Sequence, residues 1–406
     1  SVEAAAAEKT PIVQLADKIG GVFVVAVTLL AVATFGIWLS SGLSVATAHA
    51  TALLIVACPC ALALATPLAI SVGLGRAAGA SILIRDGQSL QKLASPGILW
   101  LDKTGTLTAG RQVVAQVAGE IEGLRLAASM EQNCRHPVAE AILREAGRRK
   151  LSLESDATLE EVQNGGIVGR VAGCRLVVGN AALMAAHAID ISPGTQSQID
   201  ELLRQGGSPV MISVDGQVTT LLGIVDPLRE GAVEMVRELT GRGWKLGVLS
   251  GDHPAIVLKV AEQLNLPAER IFGGLTPEEK LAAIRESRNA GSTVVMVGDG
   301  ANDAAALAAA DVGVAVRGGA EVSLQAAPIF IASNKLSSLA NLVRGSQRTT
   351  RLIYLSFAIS LGYNLIAVVL AMLGQISPLA AAVLMPISSV SVLAVTFGFK
   401  SFDREV

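Results

Sequence analysis

Two long stretches without charged side chains constrain the fold of this chain more than any other feature of its sequence. No Asp, Glu, Lys or Arg occurs between Lys18 and Arg76, or from Leu352 to Phe399. A membrane-spanning helix needs about 20 apolar residues, so each stretch is long enough for two. The first divides at Ser40-Ser41-Gly42, into segments of about 19–39 and 51–74, and the second divides at 374–378. The sequence therefore predicts four transmembrane α-helices.

The composition agrees with a membrane protein. Hydrophobic residues make up 51% of the 406 residues and charged residues 16%, with a mean hydropathy of +0.54, which is unusual for a soluble enzyme. A secretory signal peptide is the competing interpretation of the first stretch, but that stretch is too long and no cleavage pattern follows it. The net charge of −2 and the lack of a basic tract give no indication of nucleic acid as a partner. The lipid bilayer is the first partner that the sequence predicts.

The basic residues next to the spans predict their orientation. They all fall on one side of the predicted membrane, while the short opposite loops carry none; they are Lys9, Lys18, Arg76, Arg85, Arg344, Arg348, Arg351 and Lys400. Cytoplasmic flanks of transmembrane helices are enriched in Lys and Arg. We expect both termini and the long central loop to be cytoplasmic.

The loop between Arg76 and Arg344 has the composition of an α/β protein. Short apolar strands alternate with helical stretches, and Gly or Asp follows the strands. Four runs predict one parallel sheet: 97–101, 245–249, 293–297 and 312–316. Because ligands bind at the carboxyl ends of parallel strands, the loops after these strands are expected to converge on one site.

Asp102 ends the first of these runs and opens the heptad Asp-Lys-Thr-Gly-Thr-Leu-Thr. A carboxylate in this position, beside Lys103 and Thr104, suits covalent attack on the γ-phosphate of ATP. An Asp that merely caps a loop would explain two or three of these residues, but it does not explain all seven.

The later loops carry further groups that a phosphate site uses. Ser250-Gly251-Asp252 follows the second strand, Lys280 lies in a helical stretch, and 298–303 follows the third strand. Each alone has an ordinary explanation, since Gly-Asp-Gly is a common turn and a single Lys is usually a solvated charge. Their combination predicts a phosphoryl-transfer site.

The heptad resembles the phosphorylation motif of P-type ATPases, and the ordered set resembles their haloacid-dehalogenase-type phosphorylation domain. The resemblance implies that Asp102 is the nucleophile, that Asp299, Asp102 and the Thr104 carbonyl hold Mg²⁺, and that Lys280, Thr104 and Ser250 contact the phosphoryl group. It implies a catalytic set of Asp102, Lys103, Thr104, Ser250, Gly251, Asp252, Lys280, Asn302 and Asp303.

A second set of motifs lies between Ala109 and Val218. It resembles the nucleotide-binding domain of heavy-metal (type IB) P-type ATPases, which implies that ATP is bound by Glu131, His136, Gly166, Gly169 and Asn180. The family usually has glycine at the position of Asn164. Asn tolerates left-handed backbone conformations, so we expect the loop to keep its shape.

The predicted fold is a multidomain membrane protein: four transmembrane α-helices, a cytoplasmic haloacid-dehalogenase-like α/β phosphorylation domain and an inserted α+β nucleotide-binding domain. We expect transmembrane helices in 1–76 and 344–406, the phosphorylation domain in 77–108 and 219–343, and the insert in 109–218, with Asp226 at the hinge where the chain returns. The resemblance further implies a bacterial plasma membrane.

Cys58-Pro59-Cys60 lies in the middle of the second predicted span. Proline interrupts the helix there and turns both thiols towards one point. Two thiolates favour a soft metal ion. Two ordinary packing cysteines are the alternative, which a proline between them disfavours.

The last two spans indicate which ion is carried. They contain no His and no charged residue, but they include Tyr363, Asn364, Met385 and Ser389. Cu⁺ accepts thiolate and thioether ligands, whereas Zn²⁺ commonly takes His or carboxylate. This set, with Cys58 and Cys60, resembles the copper-transporting branch, which implies Cu(I) as the transported ion and a copper chaperone as a partner.

Three other interpretations compete with a Cu(I) exporter. They are a Zn²⁺, Cd²⁺ or Pb²⁺ pump, a membrane-anchored haloacid-dehalogenase-type phosphatase, and a non-catalytic metal-binding membrane protein. The chain begins at Ser1 and contains no Thr-Gly-Glu, the motif of the family's actuator domain. We therefore expect a carboxy-terminal fragment of a longer pump.

Overall fold

The computed structural model describes residues 11–56, 60–163, 165–299, 303–316 and 326–403. The chain forms two compact units. One comprises the residues up to Pro96, with Pro328–Ser333 and the chain from Ser338 onwards, and the other comprises Gly97–Ala327 with Asn334–Ser337.

The helices and strands follow one another along both units. The helices are α1 Pro11–Trp38, α2 Leu43–Val56, α3 Cys60–Ala78, α4 Gly87–Lys92, α5 Ile121–Glu131, α6 Pro137–Arg148, α7 Ala181–Ala186, α8 Pro193–Arg204, α9 Ala232–Gly241, α10 Pro254–Gln263, α11 Pro277–Asn289, α12 Ala304–Ala309, α13 Ser337–Met372 and α14 Pro378–Gly398. The strands are β1 Ile82–Ile84, β2 Ile98–Asp102, β3 Val113–Gly119, β4 Thr158–Gln163, β5 Gly166–Val171, β6 Cys174–Gly179, β7 Ser208–Val214, β8 Gln217–Val225, β9 Lys245–Leu249, β10 Ile271–Phe272, β11 Val294–Gly298, β12 Val312–Val316 and β13 Ile329–Ile331.

The first unit contains the apolar helices. Among the described residues, three helical segments are long and apolar enough to cross a membrane: Gly20–Ser41, α13 and α14. The predicted second span is instead two shorter helices, α2 and α3, on either side of residues 57–59, a segment that includes Pro59, which has no backbone N–H to donate. The count of four transmembrane helices therefore stays a prediction.

The helix ends in this unit differ in part from the predicted ones. The predicted interruption at 40–42 is present, since Gly42 has a φ of 112°, but α2 begins at Leu43 and not near residue 51. The interruption at 374–378 is also present: α13 ends at Met372, and the Ser377 hydroxyl caps α14 by accepting a hydrogen bond from the Ala380 amide. Helix α13 starts at Ser337, well before the apolar tract that begins at Leu352.

The second unit contains a parallel sheet in the order β12-β11-β2-β9-β10. Strands β11 and β12 are buried throughout, and because both faces of a parallel sheet are covered, they read as continuous apolar runs. Strand β2 lies between β11 and β9, which places Asp102 at the carboxyl end of the sheet. The loops that follow β9 and β11 therefore begin beside Asp102, as predicted.

A second, antiparallel sheet in the same unit has the order β3-β8-β7-β6-β5-β4. Helices α5 and α6 supply Leu124 and Ile142 to a buried core with Leu176 and Ile212 of the sheet. Strand β8 pairs with β3 along its length up to Val225. The predicted boundary after Val218 falls inside this strand, so it is corrected to about Val225.

The other predicted domain boundary, after residue 76, stays a prediction. Residues up to Pro96 and the segment Pro328–Ser333 are grouped with the apolar helices by their contacts, and within that group β1 pairs antiparallel with β13.

Candidate active site and nucleotide cavity

A cavity of about 450 Å³ opens at the carboxyl end of the parallel sheet. Its lining contains eight of the residues predicted to handle phosphate or Mg²⁺; it consists of Asp102, Thr104, Ser250, Gly251, Asp252, Leu275, Pro277, Lys280, Asp299 and Asp303. The structure therefore brings together loops that are far apart in the sequence. Asn302 lies outside the described residues.

Lys280 joins two carboxylates at the base of this cavity. Its Nζ donates to Oδ1 of Asp102 at 2.6 Å and to Oδ1 of Asp303 at 2.8 Å, and all three residues are buried. The lysine is held in place by the first turn of α11, where Thr276 and Glu279 form a reciprocal capping box. Buried charges of this kind are stable only when they are paired.

The electrostatics of the site follow from burial and from these neighbours. Burial raises the pKa of Asp102 to about 7, with a further upward contribution from Asp303 and a smaller one from Asp299, while Lys280 lowers it. Burial opposes the charge of Lys280, but the carboxylates of Asp102 and Asp303 outweigh burial and raise its pKa. Asp102 therefore depends on nearby positive charge to remain ionised at neutral pH.

A second ion pair involves Asp252, which lines the cavity. Lys103 Nζ is 2.8 Å from Oδ2 of Asp252, and the same oxygen accepts hydrogen bonds from the hydroxyls of Thr104 at 3.0 Å and Ser250 at 3.1 Å. In this structure Thr104 and Ser250, which were predicted to contact a phosphoryl group, are thus bonded to Asp252. A phosphoryl oxygen has the same charge as that carboxylate and can accept the same donors.

The acidic groups also fit Mg²⁺. A methyl group on Gly105 would lie 3.0 Å from Oδ2 of Asp299, so the glycine lets this carboxylate approach the loop after Asp102. Among the described residues no group of three or more His, Cys, Asp or Glu side chains is placed to hold a metal. Mg²⁺ is usually held by one or two carboxylates with waters and phosphate oxygens, which matches Asp102, Asp299 and the Thr104 carbonyl.

The hinge between the two sheets is built around Asp226. Its carboxylate accepts the Thr108 hydroxyl at 2.6 Å and the Arg111 amide at 3.1 Å. Arg229 donates to the carbonyls of Gly105 and Thr108. The sequence pattern identified Asp226 but not Thr108, the last residue of the heptad that begins at Asp102, or Arg229, three residues after Asp226.

A second cavity, of about 640 Å³, lies beside the antiparallel sheet. It is lined by Glu131, Asn133, Cys134, Arg135, His136, Val138, Leu159, Gly165, Gly166, Ile167, Val178, Gly179 and Val210. Three of the predicted nucleotide residues, Glu131, His136 and Gly166, are in this lining. Two are not: Asn180 caps α7 by accepting from the Leu183 amide, and a methyl group on Gly169 would lie 2.2 Å from the Thr158 carbonyl oxygen, so Gly169 packs against β4.

The carboxyl group of Glu131 is the buried acid of this cavity. Glu131 is 5% exposed, and burial raises its pKa to about 7. His136 lies nearby at the start of α6, where its Nδ1 accepts a hydrogen bond from the Val138 amide. A buried carboxyl group facing a cavity can bind a donor group of a ligand.

The predicted ion ligands lie mostly in α13 and α14. The Tyr363 hydroxyl donates to the Leu384 carbonyl at 2.8 Å, which brings it next to Met385 along the chain. Asn364 is buried, and Met385 and Ser389 are half-buried. Cys58 lies outside the described residues, and of Cys60 only the backbone, at the start of α3, is described.

Comparison with known proteins gives consistent results. A sequence profile of the haloacid dehalogenase-like hydrolases matches residues 98–311. The Probable copper-exporting P-type ATPase V of Mycobacterium tuberculosis is 35% identical over 411 residues, covering 100% of this chain and 53% of that protein. A Copper-exporting P-type ATPase of Staphylococcus aureus is 35% identical over 408 residues, covering 100% of this chain and 51% of that protein. The chain spans about half the length of the curated relatives it matches.

Solved structures show the same relationship. A zinc-transporting PIB-type ATPase in the E2.Pi state matches with a TM-score of 0.84 and 29% identity, covering 98% of this chain and 66% of that one. The catalytic domain of a CPx-ATPase, studied for its conformational changes upon nucleotide binding, matches with a TM-score of 0.56 and 27% identity, covering 66% of this chain and 98% of that one.

The parallel sheet, with Asp102 at its carboxyl end and Lys280 beside it, is the architecture of a phosphoryl-transfer domain. The chain belongs to the haloacid dehalogenase-like hydrolase family, and over nearly its whole length it is similar to copper-exporting P-type ATPases and to a PIB-type ATPase. The resemblance predicted from the motifs is thereby confirmed.

Proposed function

We propose that this chain acts in the ATP-driven export of a soft metal ion, Cu(I), through an aspartyl phosphate formed on Asp102. The observation that carries the proposal is the buried contact of Lys280 with Asp102 and Asp303 inside the cavity at the end of the parallel sheet. A structural Asp needs no such cavity, whereas a nucleophile that must meet a polyphosphate needs both access and compensating positive charge.

The proposed chemistry begins with the carboxylate of Asp102. One of its oxygens forms a bond to the γ-phosphorus of ATP, the bond from that phosphorus to the β–γ bridging oxygen breaks, and ADP leaves. Lys280 offsets the repulsion between the carboxylate and the phosphoryl oxygens. Thr104, Ser250 and Lys103, which now contact Asp252, are placed to exchange that carboxylate for a phosphoryl oxygen.

Mg²⁺, when bound, would add further positive charge at the developing phosphoryl group. Asp102, Asp299 and the Thr104 carbonyl would hold it. Water then hydrolyses the aspartyl phosphate and returns the carboxylate and inorganic phosphate.

ATP is proposed to enter with its base in the second cavity, between Glu131, His136 and Gly166. The neighbouring glycines support this assignment, since a methyl group on Gly166 or Gly179 would lie within 2.2 Å of a backbone oxygen of the facing strand. The strands therefore approach one another closely beside the cavity. The likeness to the CPx-ATPase catalytic domain also supports nucleotide binding.

The ion site is proposed to consist of Cys58, Cys60, Tyr363, Asn364, Met385 and Ser389. The names of the curated relatives support copper, and thiolate with thioether suits a monovalent soft ion. We further propose a plasma-membrane location with the catalytic unit in the cytoplasm, and a soluble copper chaperone as the donor of the ion.

A zinc exporter is the second candidate, because a zinc-transporting PIB-type ATPase matches 98% of this chain in structure. X-ray absorption on the reduced, detergent-solubilised protein loaded with Cu⁺ distinguishes the two. Sulfur-dominated coordination, with Cu⁺ retained in competition with Zn²⁺, is expected. A shell of nitrogen and oxygen only, or preferential Zn²⁺ binding, would favour the divalent ion.

The phosphoenzyme itself is tested with γ-labelled ATP. An acid-stable, hydroxylamine-sensitive label is expected on the parent protein and is expected to be absent from Asp102→Asn, which keeps the side-chain shape but lacks the attacking carboxylate. A label that survives this substitution would contradict the assignment. Asp215→Asn, on the surface of the other sheet, is the matched control.

A further inference from the structure

The second cavity is lined by a positively charged side chain, Arg135, that has no role in the proposed nucleotide site. Arg135 lines the cavity in the short turn between α5 and α6. In the described part of the chain it is the single Lys or Arg in the cavity lining. An exposed arginine is often only a solubilising surface charge, so the contacts of Arg135 decide whether it is such a charge or a ligand-binding group.

The arginines of α5 and α6, and Arg149 directly after α6, are all paired with carboxylates. Arg125 contacts Glu122 at 2.7 Å and Glu154 at 2.6 Å, Arg144 contacts Glu140 at 3.3 Å, and Arg148 and Arg149 contact Glu145 at 2.7 and 2.6 Å. Arg135 differs from all four, since no ion pair or hydrogen bond joins its side chain to any described residue. Its charge is therefore available to a ligand in the cavity.

The backbone that carries Arg135 is fixed on both sides. The Cys134 amide donates to the Glu131 carbonyl at 2.9 Å, and the carbonyl of His136 accepts the Glu140 amide at 3.1 Å in the first turn of α6. The guanidinium is thus mounted on an ordered turn, which reduces the entropy lost when it binds a partner.

The two charged groups of the cavity lie at different depths. Glu131 is 5% exposed, whereas Arg135 is exposed. A nucleotide also has two chemically different ends: its base carries neutral hydrogen-bond donors, and its phosphate chain carries negative charge. A buried acid and an outer arginine therefore match the base and the phosphates respectively, and a guanidinium binds phosphate oxygens in bidentate geometry.

We propose that Arg135 binds the phosphate chain of the nucleotide and so sets the preference of this cavity for ATP and ADP over adenosine. This inference rests on the proposed nucleotide-binding function. It adds a residue that distinguishes ligands by phosphate charge, separate from the groups that contact the base.

The test compares ATP with adenosine on the full chain in detergent, using calorimetry or displacement of a fluorescent nucleotide, without Mg²⁺ so that no phosphorylation occurs. In Arg135→Gln the affinity for ATP and ADP is expected to fall roughly tenfold, because a charge-assisted contact is lost. The affinity for adenosine is expected to be unchanged. Arg135→Lys is expected to retain part of the ATP affinity, since it keeps the charge but not the planar fork.

Arg204→Gln is the matched control, because Arg204 is an exposed arginine of α8 that pairs with Glu201 outside the cavity. It is expected to bind ATP and adenosine like the parent. If Arg135→Gln binds ATP as well as the parent does, or loses ATP and adenosine equally, the inference is wrong while nucleotide binding stands. If the parent binds neither ATP nor adenosine, the proposed nucleotide site fails and the inference fails with it.

Discussion

The ammonium nitrogen of Lys280 lies 2.6 Å from Oδ1 of Asp102, and both side chains are only 8% exposed. The same nitrogen lies 2.8 Å from Oδ1 of Asp303. The one positive charge of Lys280 is therefore shared between two buried carboxylates. The attacking group of the proposed reaction is kept charged by a residue that is 178 positions away in the sequence.

Replacing Lys280 by Met should slow phosphorylation. The substitution keeps the length of the side chain but removes the charge that offsets the approaching phosphate, so the rate of phosphoenzyme formation should fall on the order of a hundredfold or more. Rapid-quench labelling with γ-labelled ATP measures this rate. Lys259→Met is the control, because Lys259 is a half-exposed lysine of α10 paired with Glu262. A parental rate in Lys280→Met would exclude Lys280 from the reaction.

Replacing Asp226 by Asn should weaken the hinge. One carboxylate oxygen of Asp226 accepts the Thr108 hydroxyl and the other accepts the Arg111 amide. An Asn side chain has one accepting oxygen and no charge, so the loss should lower the free energy of unfolding by about 1–3 kcal/mol. Thermal unfolding of the detergent-solubilised protein gives the change. Glu230→Gln, an exposed neighbour in the same loop, should leave the unfolding temperature unaltered. An equal shift in both variants would argue that the hinge contacts are unimportant.

Glu131 should make adenosine binding depend on pH. Burial raises its pKa from 4.5 to about 7. Only the ionised carboxylate has two oxygens that can both accept hydrogen bonds from the amino group of a base. Adenosine affinity should therefore increase between about pH 6 and 8. Adenosine is the suitable probe because it has no phosphate that titrates in this range. In Glu131→Gln the dependence should disappear, and a rise in affinity towards low pH in the parent would contradict the assignment.

Glu131 should also make the free energy of unfolding depend on pH, and this contribution should decrease as pH rises. Its folded-state pKa is raised, so the folded protein binds more protons than the unfolded chain between pH 4.5 and about 7. The contribution of Glu131 to the free energy of unfolding is therefore full below pH 4.5 and is lost as pH rises through about 7. Glu131→Gln should remove this slope from unfolding curves measured at several pH values.

Gly166→Ala should disrupt the antiparallel sheet. Gly166 has a φ of 153°, and an added methyl group would lie 2.0 Å from the Val178 carbonyl oxygen, so the two strands would have to separate. Gly147→Ala in α6 is the matched control: nothing lies within 4 Å of its added methyl group, and Ala is favoured over Gly in a helix by about 0.5–1 kcal/mol. The first variant should unfold at a lower temperature and the second at the same or a higher one. The opposite order would show that the sheet accommodates the methyl group.

Much of the candidate active site was predictable from sequence because parallel strands leave a simple signal. The runs ending near Asp102, Leu249 and Val297 were mostly apolar. The rule that ligands bind at the carboxyl ends of strands then predicted one shared site, and the structure places Ser250, Lys280 and Asp299 in one cavity. The pairing of Lys280 with Asp303 was not predictable in detail, because it depends on how α11 packs over the sheet.

The errors also have physical causes. The boundary at Val218 was wrong because no change in composition marks it, yet Asp215-Gly216 forms a two-residue hairpin turn with positive φ at both positions. That dipeptide is a strong hairpin signal, and it would have predicted that β8 continues the second sheet. The start of α2 was placed too late because its first turns are rich in Ser, Thr and Ala, which lowers hydropathy without preventing a helix.

The carboxy-terminal residues should stabilise the start of α13 mainly through Phe402. Its ring is 6% exposed, and it covers Gly345, where an added methyl group would lie 2.3 Å from the ring. Phe402→Ala should lower the free energy of unfolding by about 3 kcal/mol, as expected for loss of a buried aromatic ring.

Asp403 contacts Arg348 at 2.9 Å and Arg344 at 3.1 Å, but its side chain is 53% exposed. Solvent screens such pairs, so Asp403→Asn should cost less than about 1 kcal/mol. Thermal unfolding of the two variants side by side measures the ranking. A larger effect of Asp403→Asn than of Phe402→Ala would mean that the ion pairs, and not the buried ring, hold this segment against the helix.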